Sequence, residues 1–183
     1  AIAVTGVCDK LESSNNSCAT DKSSNVQLEE AIVTNIRPLG SGARACIDTC
    51  MMMKEGQGML VGSSSQGLFL VQAEVVPNKL VNTRPFRVNA GAVSLYTIGP
   101  GNKTKYLEEI NAGDEVLIFD KNGAAAATNV TRSKIEIRPL ILIEAESKNG
   151  KIAKAILQNA ETIRIVTPID SKAVTELAIG DKV

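Results

Sequence analysis

Residues 121–158 read KNGAAAATNVTRSKIEIRPLILIEAESKNGKIAKAILQ, and they set the fold class. Val, Ile, Thr and Leu alternate there with polar residues, which is the two-residue period of a half-buried strand rather than the longer period of a helix. Asn122-Gly123 and Asn149-Gly150 punctuate the runs, and both residues of such a pair tolerate the positive φ of a tight hairpin turn. The stretch predicts strands over 128–137, 140–147 and 151–157.

The same pattern extends outward in both directions. From Gln27 onward, short apolar runs predict further strands at 30–37, 43–48, 58–62, 67–76, 84–88, 92–98, 115–119 and 162–166. Pro38-Leu39-Gly40 and Gly99-Pro100-Gly101 read as breaks between them. Only short helices fit, at 49–54 or 104–110. Two internal echoes organise the pattern. IVTNIRPL at 32–39 returns as KIEIRPL at 134–140, and LEEINAGDEV at 107–116 returns as VTELAIGDKV at 174–183. Each member of the second pair carries a Gly-Asp turn, where Gly accepts an unusual dihedral and Asp bonds the turn backbone. The expected fold is mainly β, with two related small β-barrel-like units and short helices. Residues 28–127 form the first unit with an inserted hairpin, and residues 128–183 form the second, truncated at the C-terminus. Residues 1–27 read as the end of a missing upstream domain followed by a flexible Ser/Asn-rich loop.

Composition narrows the chemistry. The 183 residues carry 20 basic and 20 acidic side chains, so the broad positive footprint of a nucleic-acid or anionic-membrane binder is not expected. No apolar stretch approaches the ~20 residues that cross a bilayer as a helix. The chain has no histidine, which removes Ser-His-Asp and Cys-His catalysis and His-ligated metals from its own repertoire. Cys8, Cys18, Cys46 and Cys50 lack the common two-residue zinc spacing and read as buried or free thiols, with no metal site expected.

Four stretches could carry function. Gly56 to Gly67 (GQGMLVGSSSQG) is a strand entering a Gly/Ser loop that could present amides and hydroxyls to an anion, or simply turn a hairpin. In RPFRVNAG, Arg87 and Asn89 share one strand face and could hold a carboxylate or hydroxyl, or be solvated. Arg84 points the other way unless Pro85 bends the chain. In LQNAET, Gln158 and Asn159 either cap a turn or line a site, and Glu161 is the one group able to exchange protons. Around residue 46, Arg44, Cys46 and Asp48 alternate on one side, and Arg44 with Asp48 reads as a partly buried ion pair.

Taken together, GSGARACIDTC, EGQGMLVGSSSQGLFLV, RPFRVNAGAV, AGDEVLI, RPLILIEAE and LQNAETIRIV resemble the C-terminal portion of the archaeal-type, or type II, 3-dehydroquinate synthases, from about Ala31 to Val183. The resemblance implies an NAD-dependent enzyme of the shikimate route. It would convert 2-amino-3,7-dideoxy-D-threo-hept-6-ulosonate to 3-dehydroquinate by oxidising the amine, losing ammonia and closing the ring. It further implies that Arg87 and Glu161 act in catalysis, with Arg84, Asn89, Gln158 and Asn159 on the substrate. Gly62, Ser63, Ser64 and Ser65 would approach the NAD. The partners implied are a small-molecule substrate and a missing N-terminal portion of the same enzyme. The expected location is the cytoplasm, or the plastid stroma if the Ser/Asn-rich segment marks a eukaryotic homologue. The alternative is a non-catalytic β binding or regulatory module that keeps the scaffold.

Overall fold

The computed structural model describes residues 2–3, 25–78 and 82–183. The Ser/Asn-rich segment as far as residue 24, with Cys8 and Cys18, lies outside them. Thirteen strands run in chain order among the described residues: β1 (Ile2–Ala3), β2 (Leu28–Glu29), β3 (Ala31–Thr49), β4 (Gly58–Ser64), β5 (Gly67–Gln72), β6 (Arg87–Ala92), β7 (Tyr96–Ile98), β8 (Thr104–Tyr106), β9 (Glu115–Phe119), β10 (Ala125–Ser147), β11 (Ile152–Gln158), β12 (Arg164–Val166) and β13 (Ser171–Ala173). The helical content of the described residues is three single 3₁₀ turns, at Pro100–Asn102, Leu107–Glu109 and Val174–Glu176. One of them falls inside the expected 104–110, whereas 49–54 forms no helix.

The expectation of a mainly β chain holds, but barrel-like is the wrong shape. The strands form one open antiparallel sheet whose pairings, among the described residues, never close into a ring. The reason is the length of β3 and β10. Each absorbs two expected strands and pairs with the other from Ala31 opposite Ser147 to Thr49 opposite Val130. The anticipated break at Pro38-Leu39-Gly40 is instead a bulge: Ile141 faces Pro38 and Leu140 faces Gly40, leaving Leu39 unmatched. Gly40, at φ +78°, takes the left-handed conformation that lets the strand continue past the extra residue. Because the two long strands share one ribbon, neither unit curls back on itself.

The repeat is visible in hydrogen bonds. In the first unit β7 pairs with β8, a 3₁₀ turn follows, and Gly113 at φ +93° precedes Asp114, whose carboxylate accepts from the Asn111 amide at 2.9 Å and from Lys105 Nζ at 2.7 Å. In the second unit β12 pairs with β13, a 3₁₀ turn follows, and Gly180 at φ +95° precedes Asp181, whose carboxylate accepts from the Ala178 amide at 2.7 Å and from Lys172 Nζ at 2.6 Å. The β4–β5 hairpin interrupts the first unit only. Met59, Val61, Phe69 and Val71 point into the main core, while Leu60, Leu68 and Leu70 point into a second apolar cluster with Phe119. Burial on both faces explains why this hairpin reads as nearly continuous apolar sequence. β1 pairs with β2 and β5, so Ile2 and Ala3 are knitted into this sheet.

Candidate functional site

An open cleft of about 530 Å³ is lined by residues from 44–89 and from 134–162. β3 contributes Arg44 and Cys46 to it, while the intervening Ala45 and the following Ile47 are fully buried in the core. β6 contributes Arg87 and Asn89, and β10 contributes Lys134, Glu136 and Arg138, all on one face of their strands. Gln158 and Asn159 enter from the end of β11. Glu74 and Arg84 complete a wall through an antiparallel bridge and a 3.3 Å ion pair. Five basic side chains thus face two carboxylates in a chain of zero net charge.

Seven residues singled out from sequence converge here: Arg44, Cys46, Arg84, Arg87, Asn89, Gln158 and Asn159. Arg84 joins Arg87 because the chain does bend at Pro85; the Arg87 amide donates to the Arg84 carbonyl at 2.9 Å. Glu161 lines a smaller adjoining cavity with Arg164, and Glu74 and Thr162 border both depressions. Gly62 to Ser65 lie elsewhere. They form the tip of the β4–β5 hairpin, whose Gly67 packs on Ala153 near the start of β11. From Ala153 to Gln158 the strand runs about 17 Å, so the tip and the cleft occupy opposite ends of β11.

The expected Arg44–Asp48 pair is replaced by two other pairings. Residues four apart on a strand are separated by about 13 Å, whereas directly opposed residues are neighbours. Asp48 stands opposite Arg87 on one side and Arg132 on the other. Arg87 grips it with Nε at 2.6 Å and Nη2 at 2.9 Å, and Arg132 Nη2 adds a bond at 2.7 Å. Burial pushes the Asp48 carboxyl up, but the hydrogen bonds from Arg87 and Arg132 outweigh it and hold the group below the usual carboxylate range. Asp48 in turn keeps Arg87 firmly protonated. Arg87, expected to clamp substrate, therefore commits its forked edge to the protein itself.

Arg44 instead donates from Nη2 to Glu136 Oε2 at 3.2 Å, and Asn89 Nδ2 donates to Gln158 Oε1 at 2.9 Å. Arg44 Nε and Asn89 Oδ1 are buried with no partner among the described residues. Cys46 is buried, and its thiol is pushed up to about 11 by that burial, so it is no nucleophile near neutral pH. Among the described residues no cluster of three or more Cys, Asp or Glu could hold a metal ion, and no helix is long and apolar enough to cross a membrane. Sequence reasoning left out Lys134, Glu136 and Arg138, although their alternation with Ile135 and Ile137 displays a charged strand face.

Comparison with known proteins gives this geometry a family. No solved structure matches the chain. Curated proteins named 3-dehydroquinate synthase do: that of Methanocaldococcus jannaschii is 59% identical over 162 residues, 86% of this chain and 44% of the relative. That of Methanococcus maripaludis (strain C7) is 55% identical over 163 residues, 88% and 45% of the two chains. That of Methanobrevibacter smithii is 57% identical over 157 residues, 85% and 42%. The chain spans a little under half the length of these relatives. The family model described as 3-dehydroquinate synthase II C-terminal domain matches residues 30–183, which include every residue lining the cleft, and the chain belongs to that family.

Proposed function

We propose that this chain is the substrate-binding part of a type II 3-dehydroquinate synthase, which converts 2-amino-3,7-dideoxy-D-threo-hept-6-ulosonate to 3-dehydroquinate with NAD+ as oxidant. The observation that carries the reading is the cleft: five basic side chains meet two carboxylates and three amides, in a chain of this family. Such a set suits a small polyhydroxylated amino acid, whose carboxylate needs cations and whose hydroxyls and amine need acceptors. The residues of this chain would bind and orient the substrate, exclude water from one side and keep its charged end fixed.

The fit to NAD+ rests on cations at the cleft mouth. Lys134 and Arg138, paired with Glu136 at 3.0 and 3.1 Å through side chains 49% and 45% exposed, would turn their remaining donors to its pyrophosphate. When bound, NAD+ would supply the oxidation of the amine. The Gly62–Ser65 tip offers no comparable cradle. A Cβ on Gly62 would lie 2.5 Å from the Gly67 carbonyl oxygen, so the missing side chain makes room for the partner strand. Glu161, in the adjoining cavity, is the acid positioned to exchange protons with a ligand that reaches past Thr162.

The test is an assay of the full-length enzyme for NAD+-dependent formation of 3-dehydroquinate from the amino heptulosonate, with this 183-residue chain in parallel. Activity in the long form supports the reading. Inactivity of a folded full-length enzyme would leave the non-catalytic binding module.

A further inference from the structure

The two unpartnered atoms in the cleft are complementary. Arg44 Nε is a donor without an acceptor, and Asn89 Oδ1 is an acceptor without a donor, among the described residues. Both residues are only 4% exposed, so bulk water does not satisfy them. They are also neighbours. Asn89 stands opposite Cys46, and Arg44 is the next residue along that face of β3, which brings their Cβ atoms within about 8 Å. Their remaining polar edges are held by Glu136 and Gln158. A ligand that answers both carries a hydrogen-bond acceptor, strongest as an anionic oxygen opposite the guanidinium, and close beside it an N–H or O–H.

We propose that Arg44 and Asn89 form the subsite for the α-amino carboxylate end of the substrate, with Arg44 Nε–H donating to the carboxylate and Asn89 Oδ1 accepting from the 2-ammonium group. This rests on the amino heptulosonate reading above. Glu136 is committed to Arg44, Lys134 and Arg138 and Glu74 to Arg84, so the acceptor left for an amine is Asn89 Oδ1. Cys46 lies between the two residues and, buried and protonated, adds no competing charge. Arg87 is a positioning residue: its forked edge belongs to Asp48, and it holds the β3–β6 face that carries Asn89.

The experiment is calorimetric titration of the full-length enzyme, without oxidant, using two probes: the amino heptulosonate and its 2-deamino analogue. Arg44→Lys keeps a charge opposite Glu136 and so preserves the fold, which circular dichroism checks. It should weaken both probes about tenfold or more, the worth of one charge-assisted hydrogen bond. Asn89→Leu should weaken the amino probe by a similar factor and leave the analogue unchanged, and Asn89→Asp, nearly isosteric, should retain the amino probe. Lys148→Gln, at a side chain 81% exposed and away from the cleft, controls for lost charge and should change neither. Arg44→Lys binding as tightly as wild type, or Asn89→Leu weakening both probes equally, would overturn the subsite. An enzyme that binds the amino probe through Arg44 yet forms no 3-dehydroquinate sinks the reaction and keeps the subsite. Turnover that survives Arg44→Lys at unchanged KM does the reverse, and a wild type that binds neither probe overturns both.

Discussion

Two antiparallel ladders reach the cleft with opposite chemistry. In the first, Cys46 faces Asn89; two residues further along each strand, Asp48 faces Arg87. In the second, Leu140 faces Gln158, and two residues further along, Leu142 faces Ile156. The two ladders thus carry an ion pair on one side of the cleft and an apolar pair on the other. Burial differs likewise: the Arg44 side chain is 5% exposed, whereas Arg138, two residues before Leu140 as Arg44 is before Cys46, is 45% exposed. Beside the first ladder, Glu74 and Arg84 add a bridged, ion-paired wall to the cleft. The buried polar ladder is where electrostatics act strongly, because its charges sit out of water.

The largest expected effect comes from breaking the charged ladder. Asp48→Ala leaves Arg87, with a side chain 14% exposed, without its carboxylate, and should cost about 3–5 kcal/mol in urea unfolding. Replacing both partners by the residues of the other ladder, Asp48→Leu with Arg87→Ile, should recover most of that loss, since an apolar pair needs no compensation for buried charge. If the double variant is no more stable than Asp48→Ala, the two ladders are not interchangeable. Arg132→Gln removes the more exposed arginine of the triad, whose side chain is 57% exposed, and should cost no more than about 1 kcal/mol.

The Gly-Asp turns should behave as a matched pair. Gly113 and Gly180 both hold positive φ, and a Cβ added at either would meet none of the described residues within 4 Å. Gly113→Ala and Gly180→Ala should therefore each cost about 1–2 kcal/mol, from backbone conformation alone. A clear inequality in thermal unfolding would show that the repeats carry unequal strain.

Acid should separate the repeats more gently. The Asp48 carboxyl is depressed in the folded state relative to ~3.9 when unfolded, so the unfolded chain binds the extra proton in that window. Its stabilisation is therefore full above about pH 4 and disappears as pH falls through the folded value. Asp48→Asn should flatten this part of the stability profile, measured by urea unfolding at successive pH values. The smallest effect is spectroscopic. Lysine hydrogen bonds hold both Asp114 and Asp181 below the usual range, and carboxyl NMR titration should show both midpoints displaced downward. A displacement in one turn alone would break the equivalence.

Much of this architecture was legible in the residues. The alternation in KIEIRPLILIEAE marks β10, the double-faced apolar run in MLVG and LFLV marks the buried hairpin, and the GDEV and GDKV echo marks turns that share their hydrogen bonds. Arg84, Arg87, Asn89, Gln158 and Asn159 were also identifiable as a polar set. The bulge at Gly40 was not, because Pro-Leu-Gly ends a strand as readily as it kinks one that has a long partner.

Strand class, turn chemistry and family membership follow from the chain alone, since each depends on residues close in sequence or on a pattern of identities. Which charge meets which was decided only in three dimensions. Alternation tells which face a side chain takes, but the register between strands far apart in sequence tells what stands across from it. That register gives Asp48 to Arg87 and Arg132, gives Arg44 to Glu136, and leaves Arg44 Nε and Asn89 Oδ1 buried without a partner among the described residues.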